Sequence, residues 1–274
     1  MCSNTKCTNM NFEEILSEIK LSVSRFERIT LPEMDSVKLM DRMDTKYLAP
    51  FHLLPEILSE AQEYYKILEV NGERINTYDT LYYDTDSLNL YYNHHSGRRN
   101  RYKVRFRNYV SSGVSFFEIK HKTNKGRTFK TRIKQPNAFE ETIAGDKADF
   151  LENTTPLSAG ELKGNLWVHY KRMTLVNKNT PERITIDIEL NFRNNEHESQ
   201  FEKLVVVEVK QPKAGGSPIK EILKKHNLRP GALSKYCLGV MTTHPEVRYN
   251  RFKRKFLHLK KIISQYDSFA AAGL

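Results

Sequence analysis

Several segments of the chain alternate apolar and polar residues with a period of two, the pattern of a β-strand with one buried face. Two of them, residues 101–109 (RYKVRFRNY) and residues 115–122 (SFFEIKHK), follow each other closely. The same alternation recurs at residues 128–134, 183–192 and 204–210. We therefore predict five strands that each turn one apolar side toward a core.

Apolar residues at spacings of three and four predict amphipathic helices that can cover such strands. We predict helices at residues 12–26, 50–61, 87–94, 137–152, 215–226 and 252–263. Further strands are predicted at residues 46–48, 64–70 and 75–83, with Asn71 and Gly72 as a hairpin turn, whereas residues 161–169 fit a helix or a strand. The mixture predicts an α+β fold.

The polar positions of the central strands are strongly basic. Between residues 98 and 134 there are thirteen basic residues and one acid, Glu118. The basic residues are Arg98, Arg99, Arg101, Lys103, Arg105, Arg107, Lys120, Lys122, Lys125, Arg127, Lys130, Arg132 and Lys134. This segment carries the whole excess of the formal net charge of +11, so the protein has one concentrated region that attracts anions.

Two geometries suit three strands with one basic face: an open sheet that lies on nucleic acid, or a sheet curled around a basic lumen. The opposite faces carry Val104, Phe106, Phe117 and Ile119, which need burial. Because amphipathic helices are available to cover them, we expect the charged face to be the inside. Tyr102, Phe106 and Phe117 fall on the apolar side and not on the basic face, which disfavours RNA.

Carboxylates join the polar side in two later strands. Glu208 follows the alternation of residues 204–210, and Asp187 and Glu189 that of residues 183–192. A carboxylate among phosphate-binding cations is typical of a Mg²⁺ or Mn²⁺ ligand, because substrate phosphates complete the coordination. Glu208 is therefore either a metal ligand or a neutralising group. For Asp187 and Glu189 we favour pairing with lumen cations over metal binding.

The remaining sequence sets broad limits. No apolar run approaches membrane-spanning length, and the N-terminus has no hydrophobic signal segment, so we expect a cytoplasmic protein. Cys2, Cys7 and Cys237 are predicted to be free thiols. There is no Gly-rich phosphate loop, HExxH motif or serine elbow. We expect one domain at residues 11–266, a disordered N-terminal tail at residues 1–10 and a C-terminal tail at residues 267–274.

Nine short motifs in a fixed order resemble the VTC domain, the polyphosphate polymerase module of the vacuolar transporter chaperone family. The motifs are RMDTKYLA, LYYDTDSLNLYYNH, YKVRFR, FFEIKHK, GRTFKTRIK, HYKRMTL, RITIDIEL, VVVEVK and LSKYCLG. The resemblance covers residues 25–241. It places the chain in the triphosphate tunnel metalloenzyme superfamily, together with the CYTH proteins.

This resemblance implies a closed, antiparallel, eight-stranded β-barrel with a basic lumen and helices packed outside. It implies that the lumen binds ATP or another nucleoside triphosphate and threads inorganic polyphosphate. Phosphates would be held by Lys46, Arg105, Arg107, Lys120, Lys130, Tyr170, Arg172, Ser234 and Lys235, and the metal by Glu208. Four further residues, Lys103, Lys122, Arg132 and Lys210, share the alternation of these residues and are second-rank lumen candidates by pattern.

The sequence departs from the family pattern in two places. The basic residue that usually precedes the SKY motif is replaced by Ala232-Leu233, with Arg229 as the nearest substitute. The paired-glutamate strand of the CYTH triphosphatases is absent, since Asp44 and Lys46 occupy it. The second departure lowers the case for simple triphosphate hydrolysis or for a two-metal site. Unlike fungal members, this sequence shows no regulatory domain or membrane helices, so a separate membrane partner protein is an open question.

The predicted function is that of a phosphotransferase, a polyphosphate polymerase that uses ATP and a divalent metal, Mn²⁺ or Mg²⁺. Arg105, Arg107, Lys120 and Glu208 are its predicted catalytic residues. The first alternative is an inorganic triphosphatase or polyphosphatase of the same fold. The second is a nonenzymatic module that binds polyphosphate or RNA, although no nucleic-acid partner is expected.

Overall fold

A computed structural model describes residues 10–36, 42–136, 139–212, 216–231 and 233–271. The α-helices are α1 Phe12–Ser24, α2 Leu31–Ser36, α3 Leu54–Ala61, α4 Asn89–His95, α5 Asp146–Thr154, α6 Pro218–Lys225, α7 Lys235–Thr243 and α8 Lys253–Ala271. The strands are β1 Arg28–Ile29, β2 Arg42–Pro50, β3 Tyr65–Leu68, β4 Asn76–Asp84, β5 Arg101–Tyr109, β6 Val114–Lys122, β7 Thr128–Gln135, β8 Lys163–Asn177, β9 Arg183–Arg193, β10 Glu198–Phe201 and β11 Leu204–Pro212. The predicted α+β class is confirmed.

One sheet of 11 strands organises the fold. Its main path runs in the order β2-β11-β9-β8-β4-β5-β6-β7, and every neighbouring pair on this path is antiparallel. Strand β10 pairs with β9, and β3 pairs with β8 and, in parallel, with β1. Residues that lie directly opposite one another on antiparallel strands share a face. The register therefore decides which side chains meet.

The prediction of a closed eight-stranded barrel is wrong. The two ends of the strand order, β2 and β7, do not pair with each other within the described residues. A physical reason lies at the free edge of β2, where Tyr47 bridges to Pro230 and the amide of Gly231 donates to the carbonyl of Lys46 at 2.7 Å. Because the segment that leads into α7 forms these hydrogen bonds, the outer edge of β2 is already paired there and cannot pair with β7.

The outer face of the sheet packs on helices, as predicted. Helices α1, α3 and α6 form a core with β2, β8, β9 and β11, in which Ile19, Ile57 and Ile186 are fully buried. Around α5 a second core contains Phe106 and Phe117 of β5 and β6. Phe106, Phe117 and Ile186 are among the strand residues that the alternating pattern assigned to the apolar, covered face.

The expectation that all helices lie outside is wrong for α7. Its Tyr236 and Val240 pack on the inner face, against Leu166, Leu190 and Val206. The inner face is apolar at one end of these strands, so this end needs a cover of its own. Helix α4 is tied to the same region, because Asp84 accepts hydrogen bonds from the amides of its first turn and from the Tyr236 hydroxyl.

Three other segments differ in extent from the prediction. Of the acidic stretch at residues 137–152, the helical part is α5, and residues 137 and 138 lie outside the described residues. Residues 161–169 belong mostly to strand β8. Helix α8 continues to Ala271, into the predicted C-terminal tail. Residues 1–9, Ala232 and residues 272–274 also lie outside the described part, so the predicted tails and domain limits stay predictions.

The close contact between α7 and the sheet predicts a steric effect at Gly239. A Cβ atom at this position would lie 2.5 Å from Leu166 Cδ2 and 2.7 Å from Phe192 Cδ1. We expect Gly239→Ala to lower the free energy of unfolding by about 1–3 kcal/mol, although alanine favours helices. Urea unfolding followed by circular dichroism measures this change.

Gly160→Ala is the matched control, because a Cβ there meets no atom within 4 Å. Equal stability of the two variants would show that α7 does not pack tightly on the inner face.

Candidate functional site

The inner face of the curled sheet gathers most of the predicted site residues. Lys46, Glu208 and Thr185 lie opposite one another on β2, β11 and β9. On the other side of the face, Arg105 of β5 lies opposite Glu118 of β6. One register step further along, Lys120 of β6 is flanked by Lys103 and Lys130. The charged side chains that alternate along these strands therefore lie on one face of the sheet, as the pattern predicted.

Glu118 is the first of three carboxylates that hold this surface together. It is 1% exposed and accepts from Arg105 Nε at 2.7 Å, while Lys130 Nζ lies 2.5 Å from its other oxygen. Burial alone would raise the pKa of Glu118, but Arg105, Arg107 and Lys130 outweigh it and hold the pKa well below its usual range. Glu118 is therefore a fixed negative charge that links β5 to β7.

Asp187 of β9 is the second carboxylate, and it is 2% exposed. Arg172 of β8 binds it in a bidentate manner, with Nε–Oδ1 at 2.5 Å and Nη2–Oδ2 at 2.9 Å. Lys235, the first residue of α7, donates to the same carboxylate. Burial opposes ionisation of Asp187, yet these two cations keep its pKa below the usual range. The expectation that Asp187 pairs with cations thus agrees with the geometry, whereas Glu189 pairs with Lys171 at 2.7 Å.

Glu208 of β11 is the third carboxylate. Lys210 Nζ lies 2.8 Å from one oxygen and Lys46 Nζ lies 3.6 Å from the other. Lys46 also donates to the carbonyl of Leu233 at 3.3 Å, which ties β2 to the segment before α7. Burial raises the pKa of Glu208, but the two lysines lower it by more, so the pKa lies below its usual range. The group is an ionised carboxylate in a basic setting.

Arg107 is a buried cation without a carboxylate partner. It is 7% exposed, and no carboxylate lies within 4.0 Å of its guanidinium among the described residues. Its Nε donates to Thr80 Oγ1 at 3.3 Å, and its Cζ lies 5.8 Å and 6.0 Å from the ring centres of Tyr78 and Tyr170. Such a guanidinium keeps most of its donors for an incoming anion.

Two lysines lie at the entrance of the inner face without an ion pair. The Nζ of Lys103 donates to Ser234 Oγ at 2.8 Å, and burial lowers its pKa to about 8. Lys120 is exposed to the solvent of the concave face. Desolvation by the surrounding protein and the charges of Lys46 and Arg105 lower its pKa. Both groups would gain from a neighbouring anion.

A cavity of about 330 Å³ opens between these lysines and the helices. Its lining includes Asp44, Lys46, Lys103, Lys120, Lys122, Ser234, Lys255 and Phe256. Ser234 caps α7, because its hydroxyl accepts a hydrogen bond from the amide of Cys237 at 3.2 Å. We call this space the mouth cavity. Arg132, in contrast, stacks on Phe116 at 4.1 Å and forms no ion pair within the described residues.

Two tyrosines of β4, Tyr78 and Tyr82, also belong to the site and were not predicted. The hydroxyl of Tyr82 accepts from Arg105 Nη1 at 3.1 Å. Burial raises its pKa, but Arg105, Arg107 and Lys103 bring the value down to about 7. Tyr78 stacks on Tyr170, with ring centres 5.2 Å apart. Strand pairing places both tyrosines on the inner face, because Tyr82 lies opposite Arg105 and Thr80, two residues from Tyr78, lies opposite Arg107.

Tyr170, a predicted phosphate ligand, combines a core position with a polar one. It is 2% exposed, and its hydroxyl has no hydrogen-bond partner among the described residues. Its ring lies under Lys235 Nζ at 4.7 Å and Arg172 Cζ at 5.2 Å. The ring forms cation–π contacts with both groups, and the hydroxyl is available to an additional ligand.

The donor set for a metal ion is small. No cluster of three or more His, Cys, Asp or Glu side chains suited to a metal occurs in the described part of the chain. Glu208 supplies one carboxylate, and Mg²⁺ or Mn²⁺ is typically bound by one or two carboxylates together with substrate phosphates. The residues present therefore fit a metal that enters with a phosphorylated substrate, not a metal held by the protein alone.

Comparison with known proteins assigns a family. The family model described as "VTC domain" matches residues 41–244. The chain belongs to the VTC domain family. No curated protein matches the sequence. No helix in the described part of this VTC domain combines the length and apolar character needed to cross a membrane.

Solved structures with a similar arrangement share little sequence with this VTC domain. One is a protein from Bacillus halodurans, described as a candidate adenylate cyclase, with 15% identity, a TM-score of 0.46, and coverage of 71% of this chain and 96% of that chain. Another is a candidate adenylyl cyclase from Hippeastrum, described as having a dominant triphosphatase activity. It has 12% identity, a TM-score of 0.45, and coverage of 74% and 96%.

The Arg172–Asp187–Lys235 cluster predicts a pH-dependent contribution to stability. Asp187→Asn leaves two buried cations without their counter-charge, which costs about 3–5 kcal/mol at neutral pH. Because the pKa of Asp187 is lowered in the folded protein, its stabilisation is complete above the unfolded pKa of about 3.9 and is lost as the pH falls below that value. Urea unfolding of both proteins across this pH range measures the difference.

Asp86→Asn is the control, because Asp86 forms an exposed pair with Lys163 at 3.1 Å and its loss should change stability little. A wild-type protein and an Asp187→Asn variant with parallel stability curves down to the lowest pH would refute the role given to Asp187.

Proposed function

We propose that this VTC domain is a polyphosphate polymerase that transfers the terminal phosphoryl group of ATP to a chain of inorganic polyphosphate. The observation that carries the proposal is the inner face itself, where Arg107, which has no carboxylate within 4.0 Å among the described residues, shares one side of the sheet with Arg105, Lys120 and Lys130. Cations buried without enough counter-charge are costly to keep unless an anion binds them. A string of phosphates supplies that anion.

The reaction needs little covalent chemistry from the protein. A terminal phosphate oxygen of the acceptor chain attacks the γ-phosphorus of ATP, a new P–O–P bond forms, and the bond between the γ-phosphorus and the β,γ-bridging oxygen breaks. ADP leaves with the electron pair of that bond. Because the attacking oxygen is already ionised near neutral pH, no general base is required.

The residues of the inner face would act by positioning and by neutralising charge. Arg105 and Arg107 would hold the γ-phosphoryl group, and Lys120 and Lys130 the neighbouring phosphates. Arg172 and Lys235 would bind the chain above Tyr170, while Lys103, Lys122 and Ser234 would guide it at the mouth cavity. Lys46 and Lys210 would contact phosphate once Glu208 has a different partner.

A divalent metal, Mn²⁺ or Mg²⁺, would supply further neutralisation of phosphate charge when bound. Glu208 is the side chain that would hold it, together with phosphate oxygens. In the protein alone, Lys46 and Lys210 keep this carboxylate ionised and in place. Exchange of a lysine contact for the metal is compatible with the partial exposure of all three side chains.

The direct test is incubation of the purified protein with ATP and Mn²⁺, followed by separation of long polyphosphate on a gel and assay of free phosphate. We expect polymer and ADP. Glu208→Gln and Arg107→Ala should each reduce the rate by about 100-fold or more, because each removes charge stabilisation of the transferred group. Glu196→Gln and Arg25→Ala, at exposed positions, are the matched controls.

Release of free phosphate without polymer would replace the proposal with a triphosphatase of the same fold. Polymer formation at the wild-type rate in both inner-face variants would show that the reaction occurs elsewhere.

The lysine pKa values predict how binding depends on pH. Burial lowers the pKa of Lys103, Lys130 and Lys235 to about 8. Glu118 partly offsets this effect at Lys130, and Asp187 partly offsets it at Lys235. Below this value the lysines are charged, so the affinity for tripolyphosphate should be highest there and should fall as the pH rises above about 8. Isothermal titration calorimetry at constant ionic strength measures the affinity.

Lys103→Arg should shift the fall in affinity to higher pH, since arginine stays protonated. Lys20→Arg, at an exposed position of α1, is the control. A profile that is flat up to about pH 10 would contradict the assigned role of these lysines.

A further inference from the structure

A second cleft, of about 930 Å³, lies outside the inner face. It is formed by α4, by residues 157–162 and by the segment that precedes α8. Its polar lining includes Asn93, Arg98, Arg248, Asn250 and Arg251. Glu161 is the one acidic side chain among the described residues that line it. We call this space the outer cleft.

The arginines of the outer cleft are not engaged by carboxylates. Arg98, Arg248 and Arg251 are exposed, and none forms an ion pair within the part of the chain that the structure describes. Arg251 is held in position, because its guanidinium donates to the carbonyl of Ser96 and its amide lies 3.3 Å from His95 Nε2. Three cations with free donors in one concave surface favour a polyanionic ligand.

The outer cleft adjoins the mouth cavity. His94 lines the mouth cavity and His95 lines the outer cleft, and the ring of Phe252 packs on both, at 5.9 Å and 5.3 Å. Arg101 also lines the mouth cavity and donates to the carbonyl of Arg98 at 2.6 Å. Cations therefore continue from the entrance of the inner face to the outer cleft.

The sequence around the start of α8 strengthens this continuity. Residues 248–261 contain seven basic residues and no acid. These residues are Arg248, Arg251, Lys253, Arg254, Lys255, Lys260 and Lys261, and all seven are exposed. Lys255 lines the mouth cavity, so this basic segment reaches from one space to the other.

We propose that the outer cleft binds the part of a polyphosphate chain that extends beyond the inner face. The identity of this ligand rests on the proposed function, while the site is a separate one. A linear polyphosphate carries negative charge along its whole length, so it can occupy the inner face and the outer cleft at once. Two linked sites raise the affinity for long chains above that for short ones.

The test compares the affinities of a short and a long ligand in Arg98→Gln/Arg248→Gln. Tripolyphosphate is the short probe that fits the inner face, and long-chain polyphosphate reaches both sites. We expect the double variant to lose about tenfold in affinity for the long chain, and the dependence of log K on log salt to become shallower by roughly 1–2. Its affinity for tripolyphosphate should stay at the wild-type value, which also shows that the variant is folded.

Lys20→Gln/Arg25→Gln removes the same charge from exposed positions at α1, outside both spaces, and serves as the control. An equal loss of long-chain affinity in the control and the cleft variant would overturn the proposal. It would also be overturned if the cleft variant kept the wild-type affinity for the long chain but lost affinity for an RNA oligonucleotide. A wild type that binds long chains through these arginines but makes no polymer from ATP would support the outer cleft and refute the polymerase.

Discussion

Three carboxylates, two of them buried and one partly buried, are each shared between two cations and allow a strongly basic surface to form the inside of a curled sheet. Glu118 joins Arg105 of β5 to Lys130 of β7, Asp187 joins Arg172 of β8 to Lys235 of α7, and Glu208 joins Lys46 of β2 to Lys210 of β11. Each of them thereby connects neighbouring elements that would otherwise repel. The cations still outnumber these carboxylates, and we propose that the remaining charge binds phosphate.

The same inner face is divided into a polar and an apolar part, and this division decides where α7 lies. Leu166, Leu190 and Val206 occupy the apolar part and are covered by α7. The start of α7 then brings Ser234 and Lys235 to the charged part, where they meet Lys103 and Asp187. Packing of an ordinary apolar helix thus determines the position of two groups that we assign to phosphate binding.

Local alternation was enough to predict the strands at residues 101–134, their shared basic face and the outward direction of Phe106 and Phe117. It could not predict that β2 would pair with the segment at Pro230, because such a contact depends on residues far apart in the sequence. The place of α7 inside the sheet was missed for the same reason. Tyr82 was overlooked because residues 76–84 show no regular alternation and its role depends on a hydrogen bond from Arg105 across the strand pair.

The most direct measurement is a crystal structure of the protein soaked with tripolyphosphate and Mn²⁺, with the metal located by its anomalous scattering. The three phosphates should lie on the inner face, with one of them bound by Arg107, and the Mn²⁺ should lie beside the Glu208 carboxylate. Phosphates bound only at the outer surface, with Arg107 still contacting Thr80 and the tyrosine rings alone, would contradict the proposal that this face is the site of phosphoryl transfer.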